Sequence, residues 1–294
     1  MTGSAKDNNR IWQVIDILKW GEDYFKNKGF ESPKQEIEWL LCDLLEYKRI
    51  DLYINFENQI KKAQLNKLKS WIKRRVDREP LQYITGKTEF YGLKFKINRK
   101  VLIPRPETER LVEIALNSIK EIIEPEILEV GAGSGCISIA ISSEEPKAKI
   151  VSLEVSKDAI LLAEENANIN NINNINFIEM DFLKDLPKGK FDVILSNPPY
   201  ISELEISTLM PEVKNYEPKI ALTDYGDGLI FYRRFADIAK FLLKPSGLII
   251  LEVGLGEHPT KVVNLFKESG YEKIELIKDY NNDQRILKIQ VFNE

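Results

Sequence analysis

The chain has 294 residues, of which 43% are hydrophobic and 30% charged, and carries a formal net charge of −4. That length suits two domains, and the balance is that of an ordinary globular protein. The negative charge argues against a general nucleic-acid coat, and no apolar run approaches the ~18–20 residues of a membrane span. The two cysteines, Cys42 and Cys136, lie far apart in differently patterned segments, which is neither a disulfide framework nor a zinc spacing. A reducing cytosol fits best, and no metal site is expected. His258, the single histidine, reads as a plain surface or loop residue. Residues 1–10 are polar without an apolar core, so they read as a frayed terminus and not as a signal peptide.

From Arg10 to about Arg78 the pattern is helical. Ile11, Val14, Ile15 and Leu18 share one face of a first helix. Ser32-Pro33-Lys34-Gln35 opens a second, with Ser32 as N-cap, Pro33 at the first helical position and Gln35 closing a capping box. Its buried stripe is Ile37, Leu40, Leu41, Leu44 and Leu45. Asp51–Ile54 suggests a short turn, and Leu65, Leu68, Ile72 and Val76 mark a third long helix. Between Lys61 and Arg78 that helix carries eight Lys and Arg residues against one acid, Asp77. Such a run is a solvated face or a docking face for an acidic or RNA-bound partner. After Pro80, residues 83–97 alternate apolar and polar around two glycines and read as a β-hairpin. The expected organisation is therefore a helical domain over residues 1–79, a hairpin linker over 80–100 and a second domain over 101–294.

In that second domain a proline-bracketed turn, Pro104-Arg105-Pro106-Glu107-Thr108-Glu109, leads into a helix through Leu111–Leu116. From Glu126 strands and helices alternate, the signature of an α/β fold with a mostly parallel sheet. Seven strands are expected, Ile127–Val130, Ile150–Leu153, Asn176–Glu179, Phe191–Ser196, Leu248–Leu251, Lys273–Ile277 and Ile286–Phe292, with the last two pairing antiparallel. Helices fall at Cys136–Ser143, Lys157–Asn170, around Gly228–Leu243 and at Thr260–Ser269.

Two strand ends carry chemistry. The first is Glu129-Val130-Gly131-Ala132-Gly133-Ser134-Gly135-Cys136, whose glycines let backbone approach a ligand at a helix N-terminus. The dinucleotide fingerprint needs glycine at its first, third and sixth positions, and Cys136 stands at the sixth. The loop therefore suits a cofactor without a pyrophosphate but with an amino-acid end, whose ammonium Glu129 can orient. Glu154 ends the second strand, where a carboxylate accepts from ribose hydroxyls. Asp181 is placed for an adenine amino group and Phe182 for its ring face. S-adenosylmethionine has all of these parts. The second strand end is Asn197-Pro198-Pro199-Tyr200. Proline cannot continue a central strand and pushes its predecessor to extended geometry. The tetrapeptide is a stiff platform presenting an amide, a carbonyl and an aromatic ring, suited to holding a planar –NH2 group; the plain alternative is a Pro-rich loop.

From about Pro80 to its end the chain resembles the peptide chain release factor glutamine N-methyltransferases, the HemK/PrmC family. The resemblance rests on Pro80–Gly86, Phe90–Leu93, Pro104–Glu109, Gly131–Gly135, Asn197–Tyr200, Glu217-Pro218, Asp227-Gly228 and Phe231–Arg234. It implies a class I S-adenosylmethionine-dependent methyltransferase fold (Rossmann-like) and S-adenosylmethionine as donor, with S-adenosylhomocysteine as product. The acceptor it implies is the glutamine of the Gly-Gly-Gln loop of class I release factors. By position, Gly131–Gly135, Glu154, Phe182 and Asn197 would contact the cofactor and Asn197–Tyr200 the substrate glutamine. Asn197 Oδ1 and the Pro198 carbonyl would accept from its –NH2, with Tyr200 walling the side chain near the donor methyl. Glu129 and Glu154 stand where aspartate is commoner in the family, and Phe182 where tryptophan is often seen; each keeps the charge or the ring. A cytoplasmic monomer acting on a protein, with no direct nucleic-acid or membrane partner, is the expectation. A ribosomal-protein glutamine and an exocyclic base amine are the alternative acceptors.

Overall fold

The computed structural model describes residues 11–292, so the polar start expected to fray lies outside the described residues. Packing divides the chain into two units after Gly86.

The first unit contains α1 (Val14–Asn27), α2 (Pro33–Leu45), α3 (Arg49–Ile54), α4 (Lys62–Val76) and α5 (Leu81–Thr85). Val14, Ile17, Leu18 and Phe25 of α1 share one apolar core with Ile37, Leu40, Leu41 and Leu44 of α2 and Leu68 and Ile72 of α4. Gly21 lets α1 approach α2, because a Cβ there would stand 2.3 Å from Ile37 Cγ1. Three details differ from the sequence pattern. Ile11 precedes α1 and is exposed. Ser32 occupies the N-cap of α2 but makes no side-chain cap bond, so the start is set by Pro33, whose φ is already helical. On α4, Arg75 is only 8% exposed and forks onto Glu36 at 2.7 and 2.9 Å, while Arg74 forks onto Glu79 at 2.8 Å through two nitrogens. Two cations of the expected solvated or docking face thus close ion pairs within the unit instead.

The hairpin also starts later than the alternation implies. Pro80 caps α5, Gly86 ends it at φ +77°, and only then do β1 (Lys87–Phe90) and β2 (Leu93–Lys96) pair antiparallel. Ile84 belongs to the first core, whereas Lys96 exchanges backbone bonds with Asn166 at 2.7 and 3.1 Å. The stretch expected as one linker is therefore divided between the two units. Short apolar runs do not separate helix from strand by period alone.

In the second unit, α6 (Pro106–Ile119) precedes β3 (Glu126–Val130), α7 (Cys136–Glu144), β4 (Lys149–Glu154), α8 (Lys157–Ile169), β5 (Ile175–Glu179) and β6 (Phe191–Ser196). The short α9 (Pro211–Tyr216) interrupts the segment expected as a long loop. Then come α10 (Ile230–Leu242), β7 (Leu243–Glu252), α11 (His258–Glu268), β8 (Lys273–Lys278) and β9 (Gln284–Gln290). Among the described residues the seven-stranded sheet has the order β5-β4-β3-β6-β7-β9-β8; β9 runs antiparallel to both neighbours and the other pairs are parallel. Ile127, Leu128, Val193, Ile194, Leu195, Ile249, Ile250 and Leu251 are all buried, as central parallel strands require when both faces are covered. The chain steps from β3 outward to β5, then crosses back to β6 on the other side of β3. Ligands bind beyond the carboxyl ends of strands at such a switch point, and both chemical motifs leave from β3 and β6 there.

Candidate active site

The β3–α7 loop builds a cradle. Gly131 and Gly133 adopt φ of +84° and +55°, and a Cβ on either would meet nothing within 4 Å. Both line a cavity of about 260 Å³, together with Ala132 and Ser134. Gly135 has a different task. A Cβ there would stand 3.0 Å from Ile139 and 3.1 Å from Ala163, so it permits close packing of α7 on α8 and does not line the cavity.

Glu154, Asp181, Phe182, Asn197, Pro198 and Pro199 line the same cavity. Glu154 accepts from Gly133 N–H and Ser156 N–H, both at 2.9 Å, which ties the end of β4 to the glycine loop. The Asp181 carboxyl is paired with Lys184 at 2.7 Å, and that hydrogen bond holds it below the usual carboxylate range. Phe182 is buried against Phe235, with ring centroids 4.8 Å apart. Glu129 does not line the cavity and is 1% exposed. Ser138 and Ser152 (2.5 Å) both donate to its Oε2, while Oε1 has no partner. Burial pushes its pKa up to about 7. An orphaned carboxylate oxygen two residues ahead of an open glycine cradle fits the ammonium end of an amino-acid cofactor.

The corner after β6 is built from distant parts of the chain. Asn197 Nδ2 donates to Thr108 Oγ1 at 3.2 Å, and the Thr108 hydroxyl donates to Glu252 Oε2 at 2.6 Å. Arg285 donates to Glu252 Oε1 at 2.9 Å and to Tyr200 Oη at 3.1 Å. Tyr232 Oη, wholly buried, donates to the Glu252 carbonyl at 2.6 Å. The backbone at Gly228 comes so near Tyr200 that a Cβ would stand 2.3 Å from the Tyr200 carbonyl. His258 is no plain surface residue. Gly254 N–H donates to Nδ1 at 3.1 Å, so Nε2 carries the proton and faces the Gly228 carbonyl at 3.1 Å. Burial lowers its pKa.

A second cavity, of about 560 Å³, has Tyr200, Glu107, His258 and Arg285 in its wall. Tyr200 lines this cavity and not the first, so its ring stands away from the glycine cradle. Asn197 lines both. Thr108, Glu252 and Arg285 escaped the sequence reading. Thr108 lay inside the singled-out Pro104–Glu109 segment, and Glu252 was visible as a carboxylate ending a very apolar strand. Nothing in sequence marked Arg285. Among the described residues no group of three or more His, Cys, Asp or Glu side chains is placed to hold a metal ion, and no helix is long and apolar enough to cross a membrane.

Comparison with known proteins decides the family. The PrmC N-terminal domain matches residues 16–86 and the methyltransferase small domain matches residues 110–244. The release factor glutamine methyltransferase of Fusobacterium nucleatum is 40% identical over 289 residues, covering 98% of this chain and 81% of that protein. This chain belongs to the release factor glutamine methyltransferase family. The Geobacter sulfurreducens member is 38% identical over 94% of this chain and 96% of its own length. Among solved structures, the catalytic domain of hMettl16 in complex with MAT2A 3'UTR hairpin 6 aligns at a TM-score of 0.56 and 15% identity, covering 80% of this chain and 84% of that one. At that identity the likeness is one of fold. The chain has the class I S-adenosylmethionine-dependent methyltransferase fold, and S-adenosylmethionine is its methyl donor.

Proposed function

We propose that this enzyme methylates the side-chain amide nitrogen of the glutamine in the Gly-Gly-Gln motif of class I release factors, with Asn197 as the residue between donor and acceptor. The observation that carries this is the position of Asn197 in the walls of both cavities: of the residues the two walls share, which also include Leu102, Arg105 and Ala221, it alone has a side-chain amide. In this reading Gly131, Ala132, Gly133, Ser134, Glu154, Asp181 and Phe182 hold the donor from one side, and Glu129 takes its ammonium. Gly135 serves the cradle through helix packing.

An amide nitrogen is a weak nucleophile because its lone pair is delocalised into the carbonyl. The residues of the corner therefore have to free and aim that lone pair. The substrate –NH2 has two hydrogens to donate, and Asn197 Oδ1 and the Pro198 carbonyl accept them. Positive charge grows on nitrogen as it attacks, so two fixed acceptors stabilise the transition state more than the ground state. Pro198 and Pro199 keep both acceptors still, and alignment lowers the barrier further. Bound there, S-adenosylmethionine would supply an electrophilic methyl group, its C–S bond pair passing to sulfur to give S-adenosylhomocysteine, and the methylated nitrogen would shed a proton to solvent. No general base is required before transfer. Tyr200 walls the glutamine side chain from the second cavity.

The helical unit ending at Gly86 is read as the part that recognises the release factor, and the protein as a cytoplasmic monomer. The test is labelled methyl transfer to purified release factor, to its Gln→Ala loop variant, to ribosomal proteins and to nucleic acid. Label is expected on the release factor alone; label on nucleic acid, or retained on the Gln→Ala variant, sinks the proposal.

A further inference from the structure

We infer that Thr108 is a positioning residue for methyl transfer: its hydroxyl, held by Glu252, determines which end of the Asn197 amide faces the acceptor. The inference rests on the reading of Asn197 given above.

Counting hydrogens fixes the orientation of the amide. A threonine hydroxyl has one hydrogen to donate and lone pairs to accept with. Glu252 Oε2 lies 2.6 Å from Thr108 Oγ1, and Glu252 Oε1 already accepts from Arg285 at 2.9 Å. A carboxylate paired with a guanidinium only accepts, so the Thr108 hydrogen goes to Glu252. Thr108 Oγ1 then has only lone pairs to offer Asn197 at 3.2 Å, and the amide must meet it with Nδ2–H. The reversed amide would set two lone pairs against each other. Oδ1 is thereby committed to the other end of the amide plane, and Asn197 lines both cavities. A flipped Asn197 would present N–H groups to the substrate –NH2, replacing an acceptor with a donor at the reacting nitrogen.

The relay is held from three elements, two of them neighbouring strands of the sheet. Thr108 is 2% exposed in the first turn of α6, where Pro106 pre-sets the helical φ. Glu252 is fully buried at the end of β7, and Tyr232 of α10 donates to its carbonyl. Arg285 comes from β9 and is itself buried. Thr108 lines the donor cavity beside Asn197, but none of the relay's hydrogen bonds involves the Gly131–Ser134 loop, so losing the Thr108 hydroxyl should lower turnover more than donor binding.

Thr108→Val keeps the shape and removes the hydroxyl; Thr108→Ser keeps the hydroxyl and removes a methyl. Assays belong at about pH 8.5, above the Glu252 pKa of about 7, so that the carboxylate is ionised. The expectation is that Thr108→Val lowers kcat roughly 10–100-fold, with the S-adenosylmethionine Kd and the release-factor KM within about threefold of wild type. Thr108→Ser should recover kcat to within about threefold, and in an Asn197→Ala background Thr108→Val should add less than about a twofold loss. Should Thr108→Val fail to fold, Thr108→Ala supplies the same comparison. A kcat within about twofold of wild type for the hydroxyl-free variant overturns the inference. So does an undiminished loss in the Asn197→Ala background, or a Thr108→Ser variant as slow as Thr108→Val. Absence of release-factor methylation by the wild-type enzyme is a distinct result, which overturns the reaction reading and this inference with it.

Discussion

On the donor side of Asn197 the glycine cradle is one short loop, Gly131–Ser134, braced by Glu154 from the neighbouring strand, within a cavity wall that Asp181 and Phe182 also line. On the acceptor side the parts come from α6, β6, β7 and β9, joined by bonds between residues 89, 144 and 33 positions apart. The difference follows from what each side must do. Holding a cofactor of constant shape needs backbone N–H groups and room, which consecutive glycines provide. Fixing the orientation of one amide needs polar partners that are themselves buried and satisfied, and these have to be gathered across the fold. Substitutions on the donor side should therefore change binding with little loss of stability. Those on the acceptor side should cost turnover, stability or both.

The sharpest way to break that contrast is Arg285→Met. It leaves the Glu252 carboxylate buried without its cation, and the expected loss is about 3–5 kcal/mol of folding stability at pH 8 by urea denaturation. The loss should shrink at lower pH, where the carboxyl takes up a proton; a change below about 1 kcal/mol would show that the pair is not needed. Next comes Asn197→Ala, expected to lower kcat roughly 10²–10³-fold while donor affinity falls less. A near-wild-type rate would remove Asn197 from the mechanism.

A pH comparison tests Glu129. Its folded pKa of about 7 lies above the usual carboxylate value, so its contribution to stability is complete below about 4.5 and is lost as pH rises through about 7. For the cofactor-free protein that amounts to about 3 kcal/mol, and Glu129→Gln should flatten the stability curve over that window. Glu252 and His258 titrate in both proteins, so the difference between the two curves isolates Glu129; parallel curves would refute the assignment. The smallest effect is expected from Gly133→Ala. A side chain is strained at φ +55° and its methyl would enter the cavity, so S-adenosylmethionine should bind about tenfold more weakly. Calorimetry checks this, and unchanged affinity would mean that the cradle does not meet the donor.

The parts whose physics is local are legible along the chain. Gly131 and Gly133 announce a backbone that a ligand can approach, Asn197-Pro198-Pro199-Tyr200 announces a stiff strand end, and the apolar periods of 2 and 3.6 residues announce the α/β sheet and the helical unit. Local reading failed where a longer-range partner overrode it. Tyr83 and Ile84 are helical and buried, Ile84 in the first core. Arg74 and Arg75 left the expected solvated face because Glu79 and Glu36 claim them. His258, which reads as an ordinary loop residue, became a bolt between Gly254 and Gly228. That Thr108, Glu252 and Arg285 gather at Asn197 follows from the folded arrangement alone. A hydrogen-bond relay is specified by distance and direction in space, and neither can be read from positions along a chain that meet only once β6, β7 and β9 lie side by side.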